Sequence, residues 1–205
     1  MAKTVRFWVD PICPWCWVTA LWARSVADER DLKIIWKPIS LLMKNETQPD
    51  SPFFERVSWT LGLLRVMEAV RAVEGDGPIE SLYVEYGRRI HHDQESLWDP
   101  AEALVAVGLD AKFADAATDE SWDAVVRAGM DEGLAMVGAD VGTPIIAFAD
   151  AAGIERAAFG PVITRVPARD DSLKLWDAFE TLTALDGFWE LKRTRTERPD
   201  FGARP

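Results

Sequence analysis

Cys13 and Cys16 are the only cysteines in 205 residues, and both stand in the run VRFWVDPICPWCW, Val5 to Trp17. A C-x-x-C pair directly after an apolar run that reads as a buried strand points to thiol-disulfide exchange. Behind the pair, Trp15, Val18, Ala20, Leu21, Trp22 and Val26 recur with a helical rhythm up to Arg30, and Pro14 suits the first helical position. Cys13 is therefore predicted at a helix N-cap. There, unpaired amide N–H groups and the helix dipole favour a thiolate and can lower a cysteine pKa from about 8.5 to between roughly 3.5 and 7.5. Cys13 is the expected nucleophile, and Cys16, one turn further in and less exposed, the expected resolving thiol.

Zinc sites also open with C-x-x-C, but a structural zinc takes about four ligands and no second cysteine pair exists. His91 and His92 are the only histidines. As neighbours on a helix they point about 100° apart and do not readily chelate together, so no metal is expected. An inert core pair is disfavoured by the placement between strand and helix start. Neither a flavin motif nor a G-x-G-x-x-G loop is visible, so no flavin is expected, and for nitro reduction electrons would come from thiols or from a cofactor without a visible motif.

A chain of 205 residues, 48% of them hydrophobic, supports one substantial core, or a core plus an inserted subdomain. Residues 1–10 lack the basic and long apolar regions of a signal peptide, and no window approaches the ~20 apolar residues of a membrane helix. A cytoplasmic enzyme with no membrane partner is expected; in a reducing compartment a lone C-x-x-C is catalytic rather than a structural staple. Most of the net charge of −11 lies in residues 91–140, where Lys112 and Arg127 are the only Lys or Arg residues, which argues against nucleic acid as a partner and for a solvated face. Lys192, Arg193, Arg195 and Arg198 form a basic run near the C-terminus that reads either as an exposed helix end or as an anion-binding segment.

Positioning these residues requires strands at 4–9 and 33–39 around the first helix, a parallel βαβ unit. From about 52 to 136 no good strand appears. Helical periodicity runs through 53–74, 81–92, 99–108 and 120–138, with breaks at Gly75 to Pro78 and Trp98 to Pro100. Strands return at 144–148 and 154–159 across a turn-prone stretch, Asp150 to Gly153. A last amphipathic helix over about 168–185 would bury Leu173, Leu175, Trp176, Phe179 and Leu182. Neither outer part buries a sheet alone, so together they predict one four-stranded α/β sheet, residues 1–45 and 138–205, interrupted by an inserted helical subdomain, residues 46–137.

DPICPWCW after a strand, with VGTP introducing the late hairpin, resembles the thioredoxin-like fold of the DsbA class, including relatives with a large all-helical insertion such as polyketide-oxidoreductase-like proteins and kappa-class glutathione transferases. FWVDPICPWCW, GRRIHH, DVGTPIIAF, FGPVITRVP, KLWDAF and FWELKRTRTE together are similar to the mycothiol-dependent nitroreductase family of actinobacteria, also described as mycoredoxin-like reductases, over residues 7 to about 197. The resemblance implies that Cys13 takes up the redox equivalent, that Pro14 and Trp15 tune the thiolate and shape the entrance, and that Pro144 is a cis-proline facing the cysteines and leaving the Thr143 backbone free to pair with a bound thiol. It also implies a substrate contact at Asn45, which otherwise reads as a turn former, and an active-site position for His91, which otherwise reads as a structural helical histidine. Where such family members carry a tyrosine near the start of the insertion, this chain has Phe53 and Phe54. Asp10, before Pro11, reads as a turn residue with an electrostatic influence on Cys16. Trp8, Trp17 and Trp22 read as core and Trp15 as surface.

The implied activity is a thiol-disulfide reductase drawing electrons from mycothiol and able to reduce nitroaromatic compounds. Its partners would be a small-molecule thiol and a small-molecule substrate, with a homodimer left open. The alternatives are a DsbA-like protein disulfide oxidoreductase or isomerase, and a kappa-class glutathione transferase-like thiol-binding enzyme.

Overall fold

The computed structural model describes residues 2–150 and 153–205. Strand β1 (Lys3–Val9) runs into helix α1 (Pro14–Ala27), which returns the chain to β2 (Leu32–Pro38), paired parallel with β1 from Lys3 opposite Leu32 to Val9 opposite Pro38. A parallel pair needs such a crossover, and α1 provides it. Far later, β3 (Ile145–Ala149) pairs antiparallel with β1, and β4 (Glu155–Phe159) antiparallel with β3, giving one sheet in the order β2-β1-β3-β4. Part of the turn read at Asp150 to Gly153 lies outside the described residues.

Between β2 and β3 come α2 (Leu41–Lys44), α3 (Phe54–Glu74), α4 (Ile79–Gly87), a π turn (Arg88–His92), α5 (Pro100–Ala106), two 3₁₀ turns (Ala111–Thr118 and Glu120–Trp122) and α6 (Asp123–Val137). Two details depart from the periodicity. The helix read through His92 changes to π geometry at Arg88, and the 3₁₀ turn at Ala111, capped by the Asp110 side chain, carries too short a repeat to show as a helix. Among the described residues no helix is long and apolar enough to cross a membrane.

Alternation along β1 divides the core. Val5, Phe7 and Val9 join the large cluster beneath α1 and α3, whereas Trp8 points to the opposite face and packs with Ile39, Met130 and Ile145. Helix α6 covers that second face. The Trp8 indole N–H donates to the Gly129 carbonyl at 2.6 Å, and a Cβ on Gly133 would sit 2.7 Å from the same indole, so only glycine allows this approach. On the first face α7 (Arg169–Ala184) buries Trp176 and Phe179 against Trp22 and Phe148, with ring centroids 5.6 to 6.4 Å apart. Leu173, Leu175 and Leu182, expected on the buried face, are only partly covered, while Ser172 is fully buried beside the Trp22 indole, which donates to its carbonyl.

Candidate active site

Cys13 is the N-cap of α1, in extended backbone conformation, with Pro14 in the first turn. Its Sγ accepts the Cys16 N–H at 3.4 Å, and its own N–H is taken by the Asp10 carbonyl at 3.1 Å. The β3 side closes over the pair. The Thr143-Pro144 bond is cis, and the Thr143 carbonyl faces the Cys13 thiol at 3.9 Å. Cys16 Sγ is ringed by oxygens: Thr143 Oγ1 at 3.3 Å, the Trp8 carbonyl at 3.8 Å and the Tyr83 hydroxyl at 3.9 Å. Both cysteines are free thiols, Cys13 8% exposed and Cys16 not at all.

That burial corrects the expectation of an acidic Cys13. Loss of water around the sulfur pushes the thiol up to about 11, outweighing the Cys16 N–H bond that favours the thiolate. Cys16 is pushed higher still, first by burial and then by the charge of Cys13, with Thr143 and Tyr83 pulling the other way. The order of the pair therefore survives while its absolute acidity does not. Iodoacetamide labelling of the reduced protein should mark Cys13 before Cys16 and should accelerate as pH rises above neutrality. A labelling rate already saturated at mildly acidic pH, or preference for Cys16, would contradict this arrangement.

Asp10 is completely buried beneath the loop, its Oδ1 accepting the Ile12 N–H at 3.0 Å and its Oδ2 the Leu41 N–H at 2.7 Å. It ties the cysteine loop to α2. Burial raises its carboxyl to about 6 despite those two bonds.

His91 holds the same loop from the other side, its Nε2 bonded to the Pro11 carbonyl at 2.8 Å, which makes that nitrogen the donor. The ring stacks on Trp17 with centroids 5.9 Å apart, while His92 Nε2 accepts the Trp17 indole N–H at 3.1 Å. The adjacent histidines thus clasp one tryptophan, the residue after Cys16. Among the described residues no group of three His, Cys, Asp or Glu could hold a metal ion.

Burial lowers His91 to about 4, with the charges of His92 and Arg56 adding in the same direction. A depressed histidine contributes stability that is present above its unfolded value near 6.5 and lost as pH falls through 4. Wild type should therefore lose about 2 kcal/mol more stability than His91→Gln between roughly pH 7 and pH 5 in urea unfolding. Asp10, whose carboxyl is raised, opposes this change between about 6 and 3.8 in both proteins and cancels in the comparison. Equal acid sensitivity of the two would remove His91 as the cause.

Of the other residues singled out in the sequence, Pro14 and Trp15 are half-buried at the entrance. Asn45 is the exposed C-cap of α2, and its side chain is bonded to neither cysteine. Phe53 is 66% exposed ahead of α3. Tyr83, whose hydroxyl lies on Cys16, was not readable as a site residue, because nothing in its local pattern distinguishes it from other helix positions; Thr143 was expected for its backbone, and its hydroxyl on Cys16 adds a second role.

The family model of the Mycothiol-dependent nitroreductase Rv2466c matches residues 12–193. Rv2286c of Mycobacterium tuberculosis, described as an uncharacterized protein, is 30% identical over 199 residues, 94% of this chain and 83% of that protein. Among solved structures, the cytosolic disulfide reductase DsbM of Pseudomonas aeruginosa with GSH aligns with TM-score 0.57 at 17% identity, over 87% of this chain and 100% of DsbM. The thiol-disulfide exchange protein α-DsbA2 of Wolbachia pipientis aligns with TM-score 0.51 at 14% identity, over 86% and 81% of the two chains. These likenesses show a DsbA-class thioredoxin-like fold. With nearly the whole length matched, from the loop before Cys13 to the basic run, the chain belongs to the Rv2466c-like mycothiol-dependent nitroreductase family.

Proposed function

We propose that this thiol-disulfide oxidoreductase is a cytoplasmic reductase that takes electrons from mycothiol through Cys13 and Cys16 and passes them to small molecules, nitroaromatic compounds among them. The observation that carries the reading is Cys13 at the N-cap of α1 with the Thr143 carbonyl beside its sulfur, a backbone edge where the thiol of a small co-substrate can lie. The narrow exposure of Cys13 and the covering of Trp15 favour a small thiol over an extended peptide.

In the oxidised enzyme a mycothiol thiolate attacks Cys13 Sγ, the Cys13-Cys16 bond breaks, and Cys16 leaves as a thiolate that takes up a proton. Thr143 Oγ1 and the Tyr83 hydroxyl lie where they stabilise that leaving sulfur. A second mycothiol attacks the mycothiol sulfur of the mixed disulfide and frees Cys13, releasing mycothiol disulfide. The dithiol then gives two electrons and two protons to substrate; a nitro group becomes a nitroso group with release of one water, and the cysteines return to the disulfide.

Mixing oxidised protein separately with mycothiol, glutathione and reduced thioredoxin, and following tryptophan emission, tests the reading. Mycothiol should be the fastest reductant, and the reduced protein should then be reoxidised by a nitroaromatic compound. Preferential reduction by thioredoxin, with no reoxidation by the nitro compound, would point instead to a protein disulfide oxidoreductase.

A further inference from the structure

We propose that the segment following α7 is part of the active site, and that it carries Arg195 onto Trp15 as the positioning cation for the Cys13 thiolate. The proposal rests on the reading of Cys13 as nucleophile. Residues 185–205 form no helix or strand, and a polar segment of this kind stays ordered only where it is tied down. The ties fall on both sides of the cysteine loop. The Arg195 guanidinium lies 5.0 Å from the Trp15 ring centroid, against the first turn of α1. Further along, Phe201 packs its ring 5.0 Å from His91 and 5.7 Å from His92, and the Asp200 N–H donates to the Thr164 carbonyl at 2.7 Å. Arg204 grips both oxygens of Asp93 with Nε and Nη2, the closest contacts 2.9 and 2.8 Å. The segment thus spans from α1 to the end of the π turn.

The chemistry calls for a cation here. Asp10, Cys16 and Tyr83 face Cys13 from the loop, from α1 and from α4, and His91 is held neutral against Pro11. The Asp10 charge disfavours a thiolate on Cys13, while the Arg195 charge favours it. Arg195 itself is exposed, so water weakens its effect, but the sulfur it acts on is nearly dry and screening is incomplete. A guanidinium suits the position because its plane can lie on an indole, which fixes the charge over the residue between the two cysteines. Phe201 and Arg204 serve as the latch that ties the far end of the segment to the histidines and Asp93, and their release would free Arg195 to leave Trp15.

The test reads Cys13 alone. In the Cys16→Ser background, the rate of iodoacetamide alkylation is measured against pH. Arg195→Gln should move the midpoint upward by about half to one pH unit, and Arg195→Lys by less. Arg204→Ala should move the midpoint in the same direction as Arg195→Gln, by less. An unchanged midpoint in Arg195→Gln, or a Lys variant shifted as far as the Gln variant, overturns the role of the charge; an Arg204→Ala profile identical to the parent overturns the latch. The underlying reading fails by a different result, mycothiol-dependent turnover that persists in Cys13→Ser with Arg195 intact.

Discussion

Cys13→Ser is expected to lower mycothiol-dependent turnover by roughly three orders of magnitude or more, the loss that follows removal of an attacking group for which no neighbour substitutes. Cys16→Ser should behave differently. That variant has no Cys13–Cys16 disulfide for mycothiol to attack; given mycothiol disulfide, its Cys13 thiolate attacks one sulfur and releases one mycothiol, and with no internal thiol to resolve the product an adduct heavier by one mycothiol should accumulate and persist in intact-mass measurements. The asymmetry follows from depth. Cys13 holds the N-cap and the remaining exposure, whereas Cys16 is enclosed by Trp8, Tyr83 and Thr143. Serine fits the Cys16 position because its hydroxyl meets the same oxygens, so the variant should fold. Adduct formation on Cys16 in the Cys13→Ser protein, with turnover retained, would exchange the roles of the two residues.

Gly87→Ala should be the most damaging single-methyl change. A Cβ on Gly87 would stand 2.2 Å from the Trp17 ring, well inside contact distance. Trp17 cannot yield: it is fully buried, stacked on His91, edge-on to Tyr83, and bonded through its indole to His92. Either α4 or α1 must move, at a cost of about 2–4 kcal/mol, equivalent to roughly 5–10 °C in thermal midpoint. Because Trp17 adjoins Cys16, the displaced helix should also slow thiol exchange. Gly77→Ala is the matching control, since its Cβ meets nothing within 4 Å. Equal melting temperatures for the two variants would mean that the α1–α4 contact is looser than its geometry.

The legible part of this molecule is the part whose determinants are close in sequence. The N-cap at Cys13 follows from Pro14 and the helical spacing behind it, and the sheet follows from β-strand runs on either side of a helical block. Burial of the sulfur is not local. The helix N-terminus expected to acidify Cys13 is present, yet the thiol rises to about 11 because the Thr143 turn closes over it from residues more than a hundred positions away. The arginines near the C-terminus were visible as a basic run, but only tertiary packing could show that Arg195 reaches Trp15. Asp10 was legible as a turn residue and illegible as a tie to α2, since its second partner, Leu41, lies beyond an entire helix and strand.

The π turn at Arg88–His92 bears on how relatives of this chain are to be aligned. A π turn winds more widely than an α-helix, and here it closes the end of α4, with no helical turn directly after Asp93. Within it two consecutive histidines meet one tryptophan, His91 by stacking on the ring and His92 by accepting its indole N–H. Where relatives wind this end differently, a histidine found one column out of place can still be the residue that holds the Pro11 carbonyl.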